Sequence, residues 1–169
     1  MNKQSLFFTF LVAIVSIVIM FQLIQFLAKR KNIKSENQEK LSLTYTIWFC
    51  SLLISFSLYL KIALQQIENA IEYIIYSDEV QNAFLAVMEK IAVFTGFTFV
   101  ATFLVYYIVN FTTKITFTNR IESHEIENEN YGYFLLKGIA MITFVLITLP
   151  VFEHFLMWFL PRIETPFYK

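Results

Sequence analysis

The sequence predicts an all-α integral membrane protein, a bundle of four transmembrane helices. Three observations carry that prediction. Four long apolar segments, at 6–28, 43–64, 89–113 and 133–160, fill most of the 169 residues. Each is near the ~20 residues a helix needs to cross a ~30 Å hydrocarbon core. The chain is 57% hydrophobic with only 15% charged residues, against about a quarter charged in a soluble domain. Finally, 6–28 and the apolar run 91–113 contain no charged residue. A helix buried in a soluble core would show polar positions every few residues.

The first segment follows Lys3 and ends in Ala28-Lys29-Arg30-Lys31. It is too long for a secretory h-region and lacks a small-x-small cleavage site, so it is a retained span. Gln22 and Gln25, near its end, suit contacts between helices or with the interface. The loop that follows, 29–42, is basic, with Lys29, Arg30, Lys31, Lys34 and Lys40. Lys29, Arg30, Lys31 and Lys34 are expected to contact anionic lipid headgroups, at ~1 kcal/mol for each near-surface positive residue.

Span two contains Cys50, the only cysteine. It permits no intrachain disulfide and is expected to be a small buried apolar residue. Ser51 and Ser55 are four apart, which places them on one helix face. Beyond the span, Ile67, Ala70, Ile71, Ile74 and Ile75 recur at helical spacing between Gln66, Glu68, Asn69 and Glu72. The helix should therefore continue to about Tyr76. Ser77 or Asp78 can cap a new helix that starts near Glu79 and runs on through span three, forming a helical hairpin.

In span three, Thr98 and Thr102 share a face, and Ala92 and Gly96 form a small-xxx-small pair. With Ser51 and Ser55 they are the expected helix-packing residues, since small and hydroxylated side chains let membrane helices approach and hydrogen-bond. Loop three, 114–131, alternates apolar and polar residues over Ile115-Thr116-Phe117-Thr118 and then turns acidic from Glu122 to Glu129. It suits contact with a protein partner. Arg120 and His124 are too closely spaced for the Arg…His pair of a HEPN ribonuclease.

Span four has Lys137 one turn in from its start and Glu153-His154 just after Pro150. Lys137 and Lys61, each near the end of a span, can snorkel to headgroups. Ionisable groups within spans are the first place to look for function. A proline removes a backbone donor and kinks a helix. Glu153, His154 and Pro150 are therefore the candidate gate or ion contact, near the outer surface.

Positive residues set orientation. The two loops also hold Lys114 and Arg120, whereas the opposite side has Lys3, Lys90, Arg162 and Lys169 spread over two termini and a loop. Loops 29–42 and 114–131 are then cytoplasmic and both termini lie outside, in a bacterial inner membrane. Tyr45 and Trp48 near the inner level and Trp158 near the outer one fit headgroup zones.

The halves read alike. Phe21-Gln22-Leu23-Ile24-Gln25-Phe26 precedes one basic loop, the polar Ser35-Glu36-Asn37-Gln38-Glu39 and span two. Tyr106-Tyr107-Ile108-Val109-Asn110-Phe111 precedes the other loop, Glu127-Asn128-Glu129-Asn130 and span four. Two spans per unit make such a tandem repeat parallel rather than inverted. With Asn37 before span two and Asn130-Tyr131-Gly132 before span four, the chain resembles the small four-span inner-membrane domain of unknown function family 350. The resemblance implies two tandem two-helix units, each with a polar loop leading through an Asn into its second span. It implies no catalytic residues.

Zero net charge offers no basic footprint for nucleic acid. The chain lacks a Gly-rich phosphate loop, paired cysteines, His-Glu-x-x-His and Gly-x-Ser-x-Gly, so no cofactor, metal or enzymatic role is expected. The expected role is an oligomeric, channel-like or scaffold subunit in the lipid bilayer, self-associating and contacting a protein partner through its cytoplasmic loops. Two other roles fit the same layout: a membrane-permeabilising effector of a defence or toxin system, and an accessory subunit of a membrane enzyme or secretion complex.

Overall fold

A computed structural model describes residues 3–31, 33, 36–37, 40–76, 82–117 and 120–160. The described chain is almost wholly helical: α1 (Lys3–Arg30), α2 (Leu43–Tyr76), α3 (Ala83–Thr116), the short α4 (Glu122–Glu127) and α5 (Tyr131–Met157). Between α1 and α2, Glu36–Asn37 (β1) pairs antiparallel with Lys40–Leu41 (β2). Four of the helices are long and apolar enough to cross a membrane.

At 1.5 Å rise per residue, α2 and α3 are each about 51 Å long, well beyond a ~30 Å hydrocarbon core. Their surplus lies at the end where they are joined, the hairpin end. The expected continuation of span two to Tyr76 is present, and its cause is visible. Ile67, Ala70, Ile71 and Ile74, at helical spacing, are all buried. The partner helix begins at Ala83, with Asn82 at its N-cap position and no side-chain cap hydrogen bond. Ser77, Asp78 and Glu79 lie outside the described residues.

Helix α2 is the centre of the bundle and packs along α1, α3 and α5. Of its most apolar stretch, 44% is buried inside the chain, against 17% in α1. Leu52, Phe56, Phe94, Met141 and Val145 form the middle of the core, and Phe56 stacks on Phe99 at 4.8 Å. Above them the Tyr59 hydroxyl meets Thr148 Oγ1 at 2.5 Å. Helices α2 and α5 approach closely at Gly138, where an added Cβ would run into the Ser51 side chain.

Of the expected packing residues, Ser51, Ser55, Thr98 and Thr102 are buried. Their hydroxyls do not bridge helices. Ser51 donates to Ile47 O (2.7 Å), Thr98 to Phe94 O and Thr102 to Thr98 O (2.8 Å each), all within their own helices. A hydroxyl satisfied by the carbonyl one turn back can be buried without a partner helix. Ser55 Oγ finds no partner among the described residues. Ala92 and Gly96 face outward, and an added Cβ on Gly96 would meet nothing within 4 Å; within this chain they seal no helix seam. Cys50 is exposed rather than buried, because the apolar face of α2 that turns inward is the one carrying Trp48, Leu52 and Tyr59. Trp48 and Tyr45, near the start of α2, point into the bundle, whereas Trp158, just after α5, is exposed.

Candidate functional site

The opposite end of the bundle, the loop end, holds the connections α1–α2 and α3–α5. Here the acidic stretch of loop three folds as α4. Glu122, Glu125 and Ile126, at i, i+3 and i+4, share one face, and all three are buried. Helix α4 closes with a Schellman arrangement: Asn130 N donates to Glu125 O and Glu129 N to Ile126 O, both at 3.0 Å. Glu129 takes the left-handed conformation this turn requires, with φ 50°. Asn130 then caps α5, its Oδ1 accepting from Tyr133 N at 3.3 Å. One short connection thus sets both the exit of α4 and the start of α5.

That geometry aims Glu122 into the bundle. Its carboxylate is 4% exposed and is ion-paired to Lys137, itself 2% exposed, and to Lys31. Tyr106 Oη donates to Glu122 Oε2 at 2.6 Å, and Lys31 Nζ also donates to the Tyr106 oxygen. Lys137 Nζ donates a further hydrogen bond to Asn110 Oδ1 at 2.9 Å. The Tyr106 ring lies 4.7 Å from Lys31 Nζ and 5.1 Å from Lys137 Nζ, within cation–π range. Four elements therefore converge on one carboxylate: the end of α1, α3, α4 and α5.

Glu125 makes a second, shallower link. It accepts from Arg120 Nη1 at 3.1 Å and from Asn130 Nδ2 at 2.6 Å. Thr44 Oγ1 at the start of α2 reaches Ile126 O at 3.5 Å. Arg120 is half-exposed, and an exposed pair of this kind is worth little. The Glu122 pairs are in the opposite regime, where removing one partner leaves a charge stranded out of water.

Burial by itself would push the Glu122 carboxyl up. The Lys137 and Lys31 ammoniums, by charge and by the hydrogen bonds they donate, outweigh that and hold it below its ordinary value. The carboxylate form of Glu122 is therefore favoured in the folded chain.

Two expectations are corrected here. Lys137 does not snorkel: its ammonium turns inward because Glu122 and Asn110 offer acceptors beside it. Lys31, expected on headgroups, is likewise drawn in by Glu122 and Tyr106. Lys29 and Arg30 are exposed as headgroup contacts require; Lys34 lies outside the described residues. Loop three is committed to its own bundle through Glu122, Glu125 and Ile126, which leaves the outward side of α4, with His124, for any partner.

Glu153, His154 and Pro150 stand about 20 Å or more from this cluster along α5, by helical rise. The helix continues through Pro150 to Met157; Pro150 and His154 are exposed and Glu153 is half-buried. Among the described residues no group of three or more His, Cys, Asp or Glu side chains is arranged to hold a metal ion. Gln22 and Gln25 are exposed on α1, and Lys61 is exposed on α2.

The residues that sequence reasoning passed over are Glu122, Tyr106 and Asn110. A signal for the last two existed: they are four apart in span three, hence on one face and able to serve a single buried cation. Compared with known proteins, the chain matches no family model, no curated protein and no solved structure.

Proposed function

We propose that this chain is a non-enzymatic, oligomeric subunit of a bacterial inner membrane, channel-like or scaffolding, whose cytoplasmic end is latched by α4. The observation that carries the reading is the contrast between the flanks and the loop end. Helix α1 turns Phe7, Phe10, Val15, Val18 and Phe26 outward, a surface for lipid or for another copy. Meanwhile the buried ionic groups at the loop end are withdrawn onto Glu122 of a six-residue helix. A small element held by one buried carboxylate is suited to being released by a partner at the membrane surface.

Loops 29–42 and 114–131 face the cytoplasm and both termini face out, as the lysine and arginine balance requires. Two tandem two-helix units, as in the small four-span family the chain resembles, would pair α1 with α2 and α3 with α5. The latch also suits a second reading, a permeabilising effector held closed until α4 is released.

Gentle purification followed by native mass spectrometry should find a defined oligomer or a bound partner, and reconstituted liposomes should pass ions if the assembly conducts. A lone monomer with neither partner nor flux would overturn the subunit reading. Growth arrest on expression accompanied by flux would select the effector. Reporter fusions at Asn37 and Asn128 should both report cytoplasm; a periplasmic signal from either would reverse the orientation.

A further inference from the structure

Glu122 fills a receptor whose other walls belong to the long helices. Lys31 follows directly on α1, Tyr106 and Asn110 stand on α3, and Lys137 stands on α5. Lys31 begins the α1–α2 connection, and the carboxylate comes from the α3–α5 connection. Among the described residues of the cluster, two ammonium groups face one carboxylate, so one positive charge is unmatched. Lys114 in the last turn of α3 adds another cation to this end. Three donors converge on its two oxygens: Oε1 takes Lys137, and Oε2 takes both Lys31 and the Tyr106 hydroxyl.

A phosphate monoester answers the charge mismatch and offers the same donors a further oxygen. It carries about −1.5 to −2 charges at neutral pH and three strongly accepting oxygens, against one charge and two oxygens on Glu122. We propose that Lys31, Lys137 and Tyr106 form a binding site for a phosphate-monoester anion, which Glu122 occupies as an internal substitute. Binding of the anion displaces Glu122 and frees α4. The way in is at Lys31, whose side chain remains 25% exposed, while Lys137 at 2% exposure is reached only as α4 lifts. Among the described contacts α4 is also tied by Glu125 to Arg120 and Asn130, by Thr44 Oγ1 to Ile126 O and by the burial of Ile126, and these yield as it lifts. The anion could be soluble or could be the headgroup of phosphatidic acid, whose phosphate is also a monoester. The inference rests on the cluster alone and not on whether the assembled protein conducts.

The test uses the full chain in phosphatidylcholine nanodiscs, with spin labels at His124 on α4 and Phe111 on α3 and Cys50→Ser to remove the exposed thiol. One arm is titrated with inorganic phosphate at constant ionic strength. The other compares nanodiscs containing phosphatidic acid with nanodiscs lacking it. The label separation should widen with phosphate, with phosphatidic acid, or with both, and the responding arm identifies the source. Glu122→Gln removes the competing charge and should tighten phosphate binding about tenfold or more, read as a phosphate-dependent rise in Tm larger than that of the wild type. Lys31→Gln and Lys137→Gln should weaken binding by about tenfold or more. Lys31 is a quarter exposed, so its variant keeps the test valid if the deeper ones misfold. No response in either arm, or an affinity unmoved by Glu122→Gln and Lys31→Gln alike, would overturn the proposal, because a carboxylate with a purely structural role predicts loss on mutation and never a gain in anion binding.

Discussion

The loop end and the hairpin end of the bundle handle charge in opposite ways. At the loop end, Glu122 and Lys137 are both withdrawn from solvent and joined to Lys31, Tyr106 and Asn110. At the hairpin end, Lys61 and His154 are exposed and Glu153 is half-buried. Helices α2 and α3 reach out there by surplus length, and α5 ends at Met157. The difference teaches where a charge near a membrane needs a built partner. An ionic group at a helix end that reaches water is solvated for nothing. One turned into a packed bundle persists only if another element brings it an opposite charge, and here α4 does so.

That comparison breaks most readily at Glu122. Glu122→Ala leaves the Lys137 ammonium buried without its carboxylate and should cost about 3–5 kcal/mol of stability, whereas Glu153→Ala should stay within about 0.5 kcal/mol. Denaturant unfolding in lipid bicelles measures both. Equal losses would mean that the two ends are not different in kind.

Acid titrates the same carboxylate. The folded-state value of Glu122 lies below its ordinary one, about 4.3 in an unfolded chain. Its contribution is therefore complete above that ordinary value and is lost as pH falls through the folded-state value. Helix α4 should stay docked at neutral pH and detach only as pH falls below the ordinary carboxylate range, seen as widening between labels on α4 and α3. Glu122→Gln should abolish this acid step; a step that survives it would belong to another group.

Smaller effects test the packing half of the contrast. Gly138→Val pushes a side chain into Ser51 where α5 packs tightly on α2 and should cost about 1–3 kcal/mol. Gly96→Ala enters open space on an exposed helix face and should raise stability by up to about 1 kcal/mol, as glycine is the poorer helix former. A loss at Gly96 in the assembled protein but not in the monomer would show that this face is covered by another copy.

The smallest expected stability effect is that of Glu153→Gln with His154→Leu, whose consequence is instead for flux. If these residues gate a pathway, the double variant abolishes ion flux from liposomes; unchanged flux removes them from the pathway.

Much of the fold was legible because it follows from local patterns. Long runs such as 6–28 and 91–113 can satisfy their backbone in lipid only as helices. The spacing of Ile67, Ala70, Ile71 and Ile74 carried α2 on to Tyr76. The site was legible only in part. Lys137 was visible as a charge in a span, but its direction was not. Snorkelling and inward pairing differ by a rotamer and by an acceptor fifteen positions away in the chain. Helix α4 was read as a polar loop because its apolar contribution is one residue, Ile126; the rest of its buried face is Glu122 and Glu125, which no hydrophobic period reveals. In the matched stretches of the two halves, Gln25 stands where Asn110 does, yet Gln25 is exposed and Asn110 accepts from Lys137.

The sequence by itself therefore determined the class of element at each position, the helical continuation beyond span two, and which loops are rich in lysine and arginine, because these depend on neighbours a few residues apart. Only the tertiary structure decided which way Lys31, Lys137, Cys50 and Gly96 face, and that one glutamate from a connecting segment gathers two lysines, a tyrosine and, through Lys137, an asparagine. Those outcomes depend on how four helices are rotated about their axes, and rotation is settled by packing and by the cost of leaving a buried charge without a partner, neither of which is written in any single segment.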